Sequence, residues 1–245
     1  MLRTATGTAA VFAALPFLFM IQVAAAASLD VSPIRANFAA GQRSHVVTVR
    51  NTGDKDISVQ ADPVDWSQDS DGTDVYTPAG NLLVVPRIFT IAAGDEQIVR
   101  LGRVSAKTAD TEGSHRVFFT ELAPAAGDGE SPGLSMRLRL GIPVFVAPAG
   151  EPEPRLDLVS TEQIPEGVAV VLSNQGNVHI QVLDISGHML GPDQRDAISA
   201  RVTAYLLPGT TRKFALRFGP GAVVSSLSVT TDTAGTVEYG LPYGR

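Results

Sequence analysis

The chain has 245 residues, with 25 acidic against 19 basic side chains for a formal net charge of −6, and it has no cysteine. The acidic balance argues against a nucleic-acid partner, because phosphate binding calls for a basic surface. The lack of cysteine excludes thiol catalysis, disulfide staples and structural zinc, so stability must come from burial.

Residues 1–27 read as a secretory signal peptide. Arg3 is the only charge before Asp30, Val11 to Ile21 is an apolar run, and Ala24 to Ala27 offers small residues for cleavage before Ser28. No later segment is long and apolar enough to span a membrane, so no stable insertion is expected once the signal is removed. The remaining 245 − 27 = 218 residues suffice for two sandwiches of roughly a hundred residues each.

After Ser28 helical periodicity is almost absent. Short alternating runs of β-branched and aromatic residues recur between Gly, Pro, Asn and Asp. The first half predicts strands at His45–Arg50, Ile57–Ala61, Val64–Trp66, Leu82–Val85, Phe89–Ile91, Gln97–Leu101 and Arg116–Leu122, followed by a long strand from Leu134 to Val146. A Pro- and Glu-rich joint, Ala147 to Pro154, stiffens the connection to the second half. There, strands are expected at Val168–Leu172, Val178–Val182, Ala200–Tyr205, Arg212–Leu216, Val223–Thr230 and Thr236–Tyr239. The fold class is all-β: two immunoglobulin-like β-sandwich domains, 28–147 and 148–245, joined by a short Pro-rich hinge.

Catalytic and metal signals are weak. His45, His115, His179 and His188 lie far apart without paired metal-ligand spacing, and Asp184 near His188 reads as a coincidence in a turn. Asp65, Asp69, Asp71 and Asp74 around Gly72 depart from calcium-loop register and read as a polar hairpin tip. No nucleophile elbow or phosphate-cradling loop is present. No enzyme activity, cofactor or metal is expected.

The segment Gly133 to Val146 is the informative one. Leu134, Met136, Leu138, Leu140, Ile142 and Val144 fall on one face at period two, with Ser135, Arg137, Arg139 and Gly141 on the other. Strands usually run about five or six residues, so this one is long. Pro143 lacks a backbone donor and confines its position to an edge or a bulge. A long apolar edge is an aggregation hazard unless it is covered by its own second sheet or lent to another protein.

Further residues carry a resemblance. Val31-Ser-Pro-Ile-Arg-Ala-Asn-Phe38, the stretch Val85-Pro-Arg-Ile-Phe through Gln97-Ile-Val-Arg-Leu101, and His115-Arg-Val-Phe-Phe-Thr-Glu-Leu122 precede the long strand. Asn174-Gln-Gly-Asn-Val-His179 and Leu207-Pro-Gly-Thr-Thr-Arg-Lys-Phe214 follow it. In this order and spacing they resemble the PapD-like periplasmic chaperones of chaperone–usher pilus assembly, over nearly the whole mature chain.

The resemblance implies a periplasmic chaperone that binds incomplete pilus or fimbrial subunits by donor-strand complementation and delivers them to an outer-membrane usher. Leu134, Met136, Leu138, Leu140 and Ile142 would be the donor side chains. Arg35 matches the family's N-terminal arginine that anchors the subunit's C-terminal carboxylate. Two positions depart from the pattern: the usual lysine falls at or beside Pro143, and the arginine before the hinge proline is Ala147. The anchor could then be rebuilt from Arg87, Arg137 or Arg139, as suits the divergent branch associated with spore-coat-U-like subunits; Arg87 is favoured, on the expectation that Pro86-Arg87 faces the cleft. The rival from another class is an exported two-domain immunoglobulin-like adhesive or matrix-binding module, which needs neither an apolar donor edge nor a basic cleft. A sandwich hydrolase lacks its catalytic residues.

Overall fold

The structure, a computed structural model, describes residues 29–123, 137–165, 167–189, 197–217 and 224–241. The expected signal peptide, Leu134 and Met136 lie outside the described residues.

Alternating burial builds the first half from β1 (Leu29–Ser32), β2 (Ala36–Phe38), β3 (Ser44–Asn51), β4 (Ile57–Gln68), β5 (Asp74–Pro78), β6 (Leu82–Val85), β7 (Ile88–Ile91), β8 (Glu96–Arg103), β9 (Gly113–Glu121) and β10 (Arg139–Val146). One sheet runs β1-β3-β8-β6. The other runs β2-β10-β9-β4-β5, with β7 also pairing β4. Their inner faces meet through Val47, Val49, Val59, Leu101, Val117, Phe119 and Val144, all fully buried. The second half contains β11 (Leu156–Ile164), β12 (Gly167–Asn174), β13 (Ile180–Met189), β14 (Ala197–Leu206), β15 (Thr211–Arg217), β16 (Val224–Thr231) and β17 (Thr236–Gly240). Its sheets, β11-β12-β15 and β14-β13-β16-β17, close over Val170, Leu172, Ile180, Ile185, Leu206 and Leu227.

Both halves use the same polar pin. Asn51 is buried, its amide donates to the carbonyls of Lys55, Ile91 and Ala92, and its Oδ1 accepts the Gly53 N–H. In the second half, buried Asn174 donates to the carbonyls of Val178 and Leu206 and accepts from Gly176. An Asn-x-Gly turn thus satisfies the carbonyls that a sandwich corner would leave unpaired.

Two strand readings change. The segments expected at Ile57–Ala61 and Val64–Trp66 are one 12-residue strand, β4. The Ala61 N–H donates to the Arg87 carbonyl beside β7, so Pro63, two residues on, turns its missing donor to the same side. There β7 has ended opposite Gln60 and β5 begins opposite Val64, so the proline costs no ladder bond. The strand expected from Leu134 runs, among the described residues, from Arg139.

The joint is strapped to the second half at Glu153 and Arg155. Glu153 N–H donates to Asn177 Oδ1, Asn177 N–H to Glu153 O, and Gln175 N–H to Arg155 O. A Cβ at Gly176 would sit 2.1 Å from the Glu153 carbonyl oxygen, so only glycine lets the joint pass this close.

Candidate functional site

The site begins with the two sides of β10. One side pairs with β9 along its whole length, from Arg139 opposite Thr120 to Val146 opposite Gly113. The other side pairs with β2 only at Val144, Phe145 and Val146. Glu121 N–H donates to Leu138 O, and Ala147 N–H donates to Phe38 O. Even-numbered residues therefore turn their backbone groups to β9 and odd-numbered ones to the opposite side. The N–H and carbonyl groups of Arg139 and Gly141 face a lane that no strand among the described residues fills, whereas the register of Val144 on Ala36 turns the Pro143 carbonyl to β2. Pro143 has its missing donor on this side, which fits the sequence expectation of an edge proline.

Side chains divide the strand differently. Ile142 is 4% exposed and lies in the domain's own core. Leu138 and Leu140 are half-buried at the core's rim. Arg137 is exposed. On the outer face, the Arg139 guanidinium lies 4.0 Å over the Phe118 ring, and Phe118 meets Tyr76 edge-on at 5.2 Å. Gly141 makes room for this stack, because a Cβ there would stand 2.7 Å from Phe118 Cε1. Arg116 continues the layer, 4.1 Å over Trp66 and 3.6 Å from Asp74. Burial pushes the Tyr76 phenol up to about 12, aided by its hydrogen bond to Asp74. Burial would also raise the Asp74 carboxyl, but hydrogen bonds from Gln68 and Tyr76, the indole of Trp66 and the charge of Arg116 outweigh it and hold the group low. The indole N–H acts on Asp74 without closing a full hydrogen bond.

The outer face ends in a contact between the halves. Phe145 stacks on His179 at 3.6 Å and 6°, and Trp66 meets Tyr205 edge-on at 5.3 Å, with Leu207 buried among them. Below this layer lies a cleft of about 250 Å³ containing Arg35, which sits one residue before β2. Arg35 Nη1 donates to Asp232 Oδ2 at 2.6 Å and lies 3.4 Å from His179 Nε2. Glu112 accepts the His179 backbone N–H at 2.8 Å and lies 2.6 Å from its Nδ1. The His179 ring thus lies between Glu112 on one side and the Arg35–Asp232 pair on the other, its Nε2 3.9 Å from Asp232 Oδ2. The bond to Asp232 is the main reason the Arg35 pKa is raised.

Residues 28–152, just over half of the chain, match the model of the family described as pili and flagellar-assembly chaperone, PapD N-terminal domain. The chain belongs to this chaperone family. No curated protein matches the sequence as a relative. Among solved structures the fold is similar to the CsuC–CsuE chaperone–tip adhesion subunit pre-assembly complex of archaic chaperone-usher Csu pili from Acinetobacter baumannii. That match has a TM-score of 0.66 at 21% identity, covering 86% of this chain and 98% of that one. It is also similar to the structure of Salmonella enterica SafA pilin with the SafB chaperone, at TM-score 0.62 and 18% identity over 87% and 96% of the two chains. The YadV chaperone matches at 0.60 and 14%, over 88% and 99%.

The pilus-assembly chaperone fold places the expected anchor residues apart. Arg35 lines the cleft; Arg87 does not. Arg87 is 63% exposed, pairs with Asp62 at 3.3 Å, and borders a separate groove formed with Pro63, Pro78 and β6. The expectation that Pro86-Arg87 faces the cleft is corrected: the residue lies between β6 and β7, and its own carbonyl is taken by Ala61 of β4. Three of the four aspartates have separate uses. Asp69 holds its own turn by accepting from Asp71 and Thr73, Asp65 pairs with His115, and Asp74 belongs to the Tyr76–Arg116 layer. Among the described residues, no group of three or more acidic or histidine side chains is placed to hold a metal. The β4–β5 hairpin is more than a solvent turn: Gly72, at φ +75, abuts Arg212, and Gln68 bonds Tyr205, Leu207 and Thr210 of the second domain. His188 bonds Ser228, which in turn donates to Glu238, on the second domain's sheet.

Sequence reasoning missed Glu112, His179 and Asp232, which come together from three distant loops. One signal was available for the interface itself. The run Ile142-Pro-Val-Phe-Val146 abandons alternation and is apolar on both faces, the mark of a strand buried on two sides.

Proposed function

We propose that the protein is a periplasmic chaperone, exported by the signal at residues 1–27, that captures incomplete pilus or fimbrial subunits by donor-strand complementation and passes them to an outer-membrane usher. The observation that carries this reading is the lane beside Arg139 and Gly141, which no strand among the described residues fills and which ends where Arg35 leads into β2. A client strand laid in that lane parallel to β10 meets the free N–H and carbonyl groups of Arg139 and Gly141 and brings its terminal carboxylate to Arg35. Leu134, Met136, Leu138 and Leu140 are the side chains lent to the client, each contributing roughly 1.5–3 kcal/mol when fully buried. Ile142 serves the chaperone's own core. Arg137 and Arg139 flank the lane, and Arg35 is the anchor. The missing lysine and hinge arginine are the reason for assigning the divergent branch associated with spore-coat-U-like subunits. Capture involves no turnover, and release is strand exchange drawing on binding energy alone.

The test is affinity purification of the tagged protein from its native periplasm, followed by native mass spectrometry. A one-to-one complex with a small secreted β-rich protein is expected, and Leu138→Asp should lose that complex while keeping the native circular dichroism spectrum. Recovery of a lone monomer from an extract rich in candidate subunits would favour the adhesive-module reading instead.

A further inference from the structure

The anchor arginine is already occupied. Asp232 sits in the turn between β16 and β17 of the second domain, and its Oδ2 receives Arg35 Nη1 at 2.6 Å, the length of a strong charge-assisted hydrogen bond. Asp232 is held there: its Oδ1 accepts the Gln181 N–H at 2.8 Å, and its backbone N–H donates to the Gln181 carbonyl at 3.1 Å. The side chain of Asp232 is 14% exposed and that of Arg35 33%. Among the residues lining the cleft, Arg35 is the only lysine or arginine, and the lining carries two carboxylates, Asp232 on Arg35 and Glu112 on His179. The positions where the family resemblance leads one to expect further cations hold Pro143 and Ala147. The cleft is therefore not an electropositive socket waiting for an anion. A third carboxylate entering it meets like charge before it meets a free guanidinium edge.

We propose that Asp232 is a built-in competitor for the anchor: in the free protein it takes the place of the client's terminal carboxylate on Arg35. Capture then exchanges one carboxylate for another, and Asp232 sets the affinity that a client terminus must exceed. The inference rests on the reading of Arg35 as the carboxylate anchor. It goes further in naming a residue of the second domain that grades which termini are held. A lone carboxylate displaces a residue pinned by two bonds to Gln181 only at high concentration. A terminus whose neighbouring strand is also paired along β10 does so at lower concentration, because the two contacts act together. Exchange also releases the β16–β17 turn from the first domain, while Phe145 on His179 and Gln68 on Leu207 still join the halves.

The experiment follows the Arg35 Nε–Hε signal by NMR in the full-length mature protein, assigned by its absence in Arg35→Lys. N-acetylglycinate is the carboxylate probe and N-acetylglycine methylamide the neutral control. Asp232→Asn keeps an amide oxygen for the Gln181 N–H but presents no charge to Arg35. It is expected to lower the half-saturating concentration of N-acetylglycinate about tenfold or more relative to the unmodified protein. The methylamide should shift neither. Equal half-saturation in both proteins, or no response in the variant, overturns the proposal. The unmodified protein supplies a reading that needs no variant to fold. Saturating it with N-acetylglycinate should move the Asp232 carboxyl 13C signal toward that of a solvated carboxylate. An Arg35 shift with Asp232 unmoved means the guanidinium holds both anions, and also overturns it. The titration contains no client, so a failure of client capture and a failure of the competitor are told apart.

Discussion

The two halves of β10 are one strand with two sets of neighbours. From Ile142 to Val146 both faces are covered: Ile142, Val144 and Val146 lie in the first domain's core, and Phe145 stacks on the second domain. There β2 pairs the second edge as well. At Arg139 to Gly141 the strand keeps β9 but has no β2, its inward leucine reaches only the rim of the core, and its outward arginine lies on Phe118. The difference arises upstream, where β2 begins only at Ala36, after Pro33 to Arg35 have carried the chain between sheets. An edge strand is a liability when exposed. Here the fully buried half keeps the strand in register, and no strand among the described residues covers the second edge of the other half.

The largest expected effect tests the buried half. Ile142→Ala should cost about 2–4 kcal/mol of stability by transfer loss and cavity formation, measured by urea unfolding of the mature protein. Leu138→Ala, at the rim, should cost well under half as much because its side chain is only partly covered. Equal costs would mean the rim leucine belongs to the core after all, and the division of β10 would fail.

A smaller effect is expected where the halves meet. Gly141→Ala places a methyl 2.7 Å from Phe118 Cε1, so either the ring leaves the Arg139 guanidinium or the strand shifts. Overpacking of this kind costs about 1–3 kcal/mol. A neutral result in the same unfolding assay would show that Phe118 swings freely and that the outer face of the open half is not pre-set.

Much of this was legible beforehand. Alternation in residues such as Val47, Val49 and Val117 announced strands, because that signal is local. The Arg35 segment could be placed by its motif. Arg87 was misplaced because its position depends on which strands β6 and β7 join, a long-range choice that no local pattern reports. Glu112, His179 and Asp232 stayed hidden for the same reason: each is an ordinary loop or turn residue until the domains meet. The role of Ile142 depended on a half-turn of strand that alternation alone cannot resolve, since period two assigns a face and not an owner.

The smallest effect probes how firmly the outer face of the open half is built. Tyr76 touches Phe118, Phe118 carries Arg139, and burial together with Asp74 holds the Tyr76 phenol at about 12 against an ordinary 10.0. Folding therefore favours the neutral phenol. The stability this contributes is fully present below pH 10, the unfolded value, and is lost as pH rises from 10 toward 12. Absorbance at the tyrosinate band should show one phenol ionising last, and Tyr76→Phe should remove that step. Asp74→Asn should draw the step down without returning it to 10, because burial is the larger cause and the hydrogen bond the lesser. A return all the way to the ordinary value would reverse that order. It would mean that the Asp74 carboxylate, and not packing against Phe118, is what fixes the ring beside the open edge.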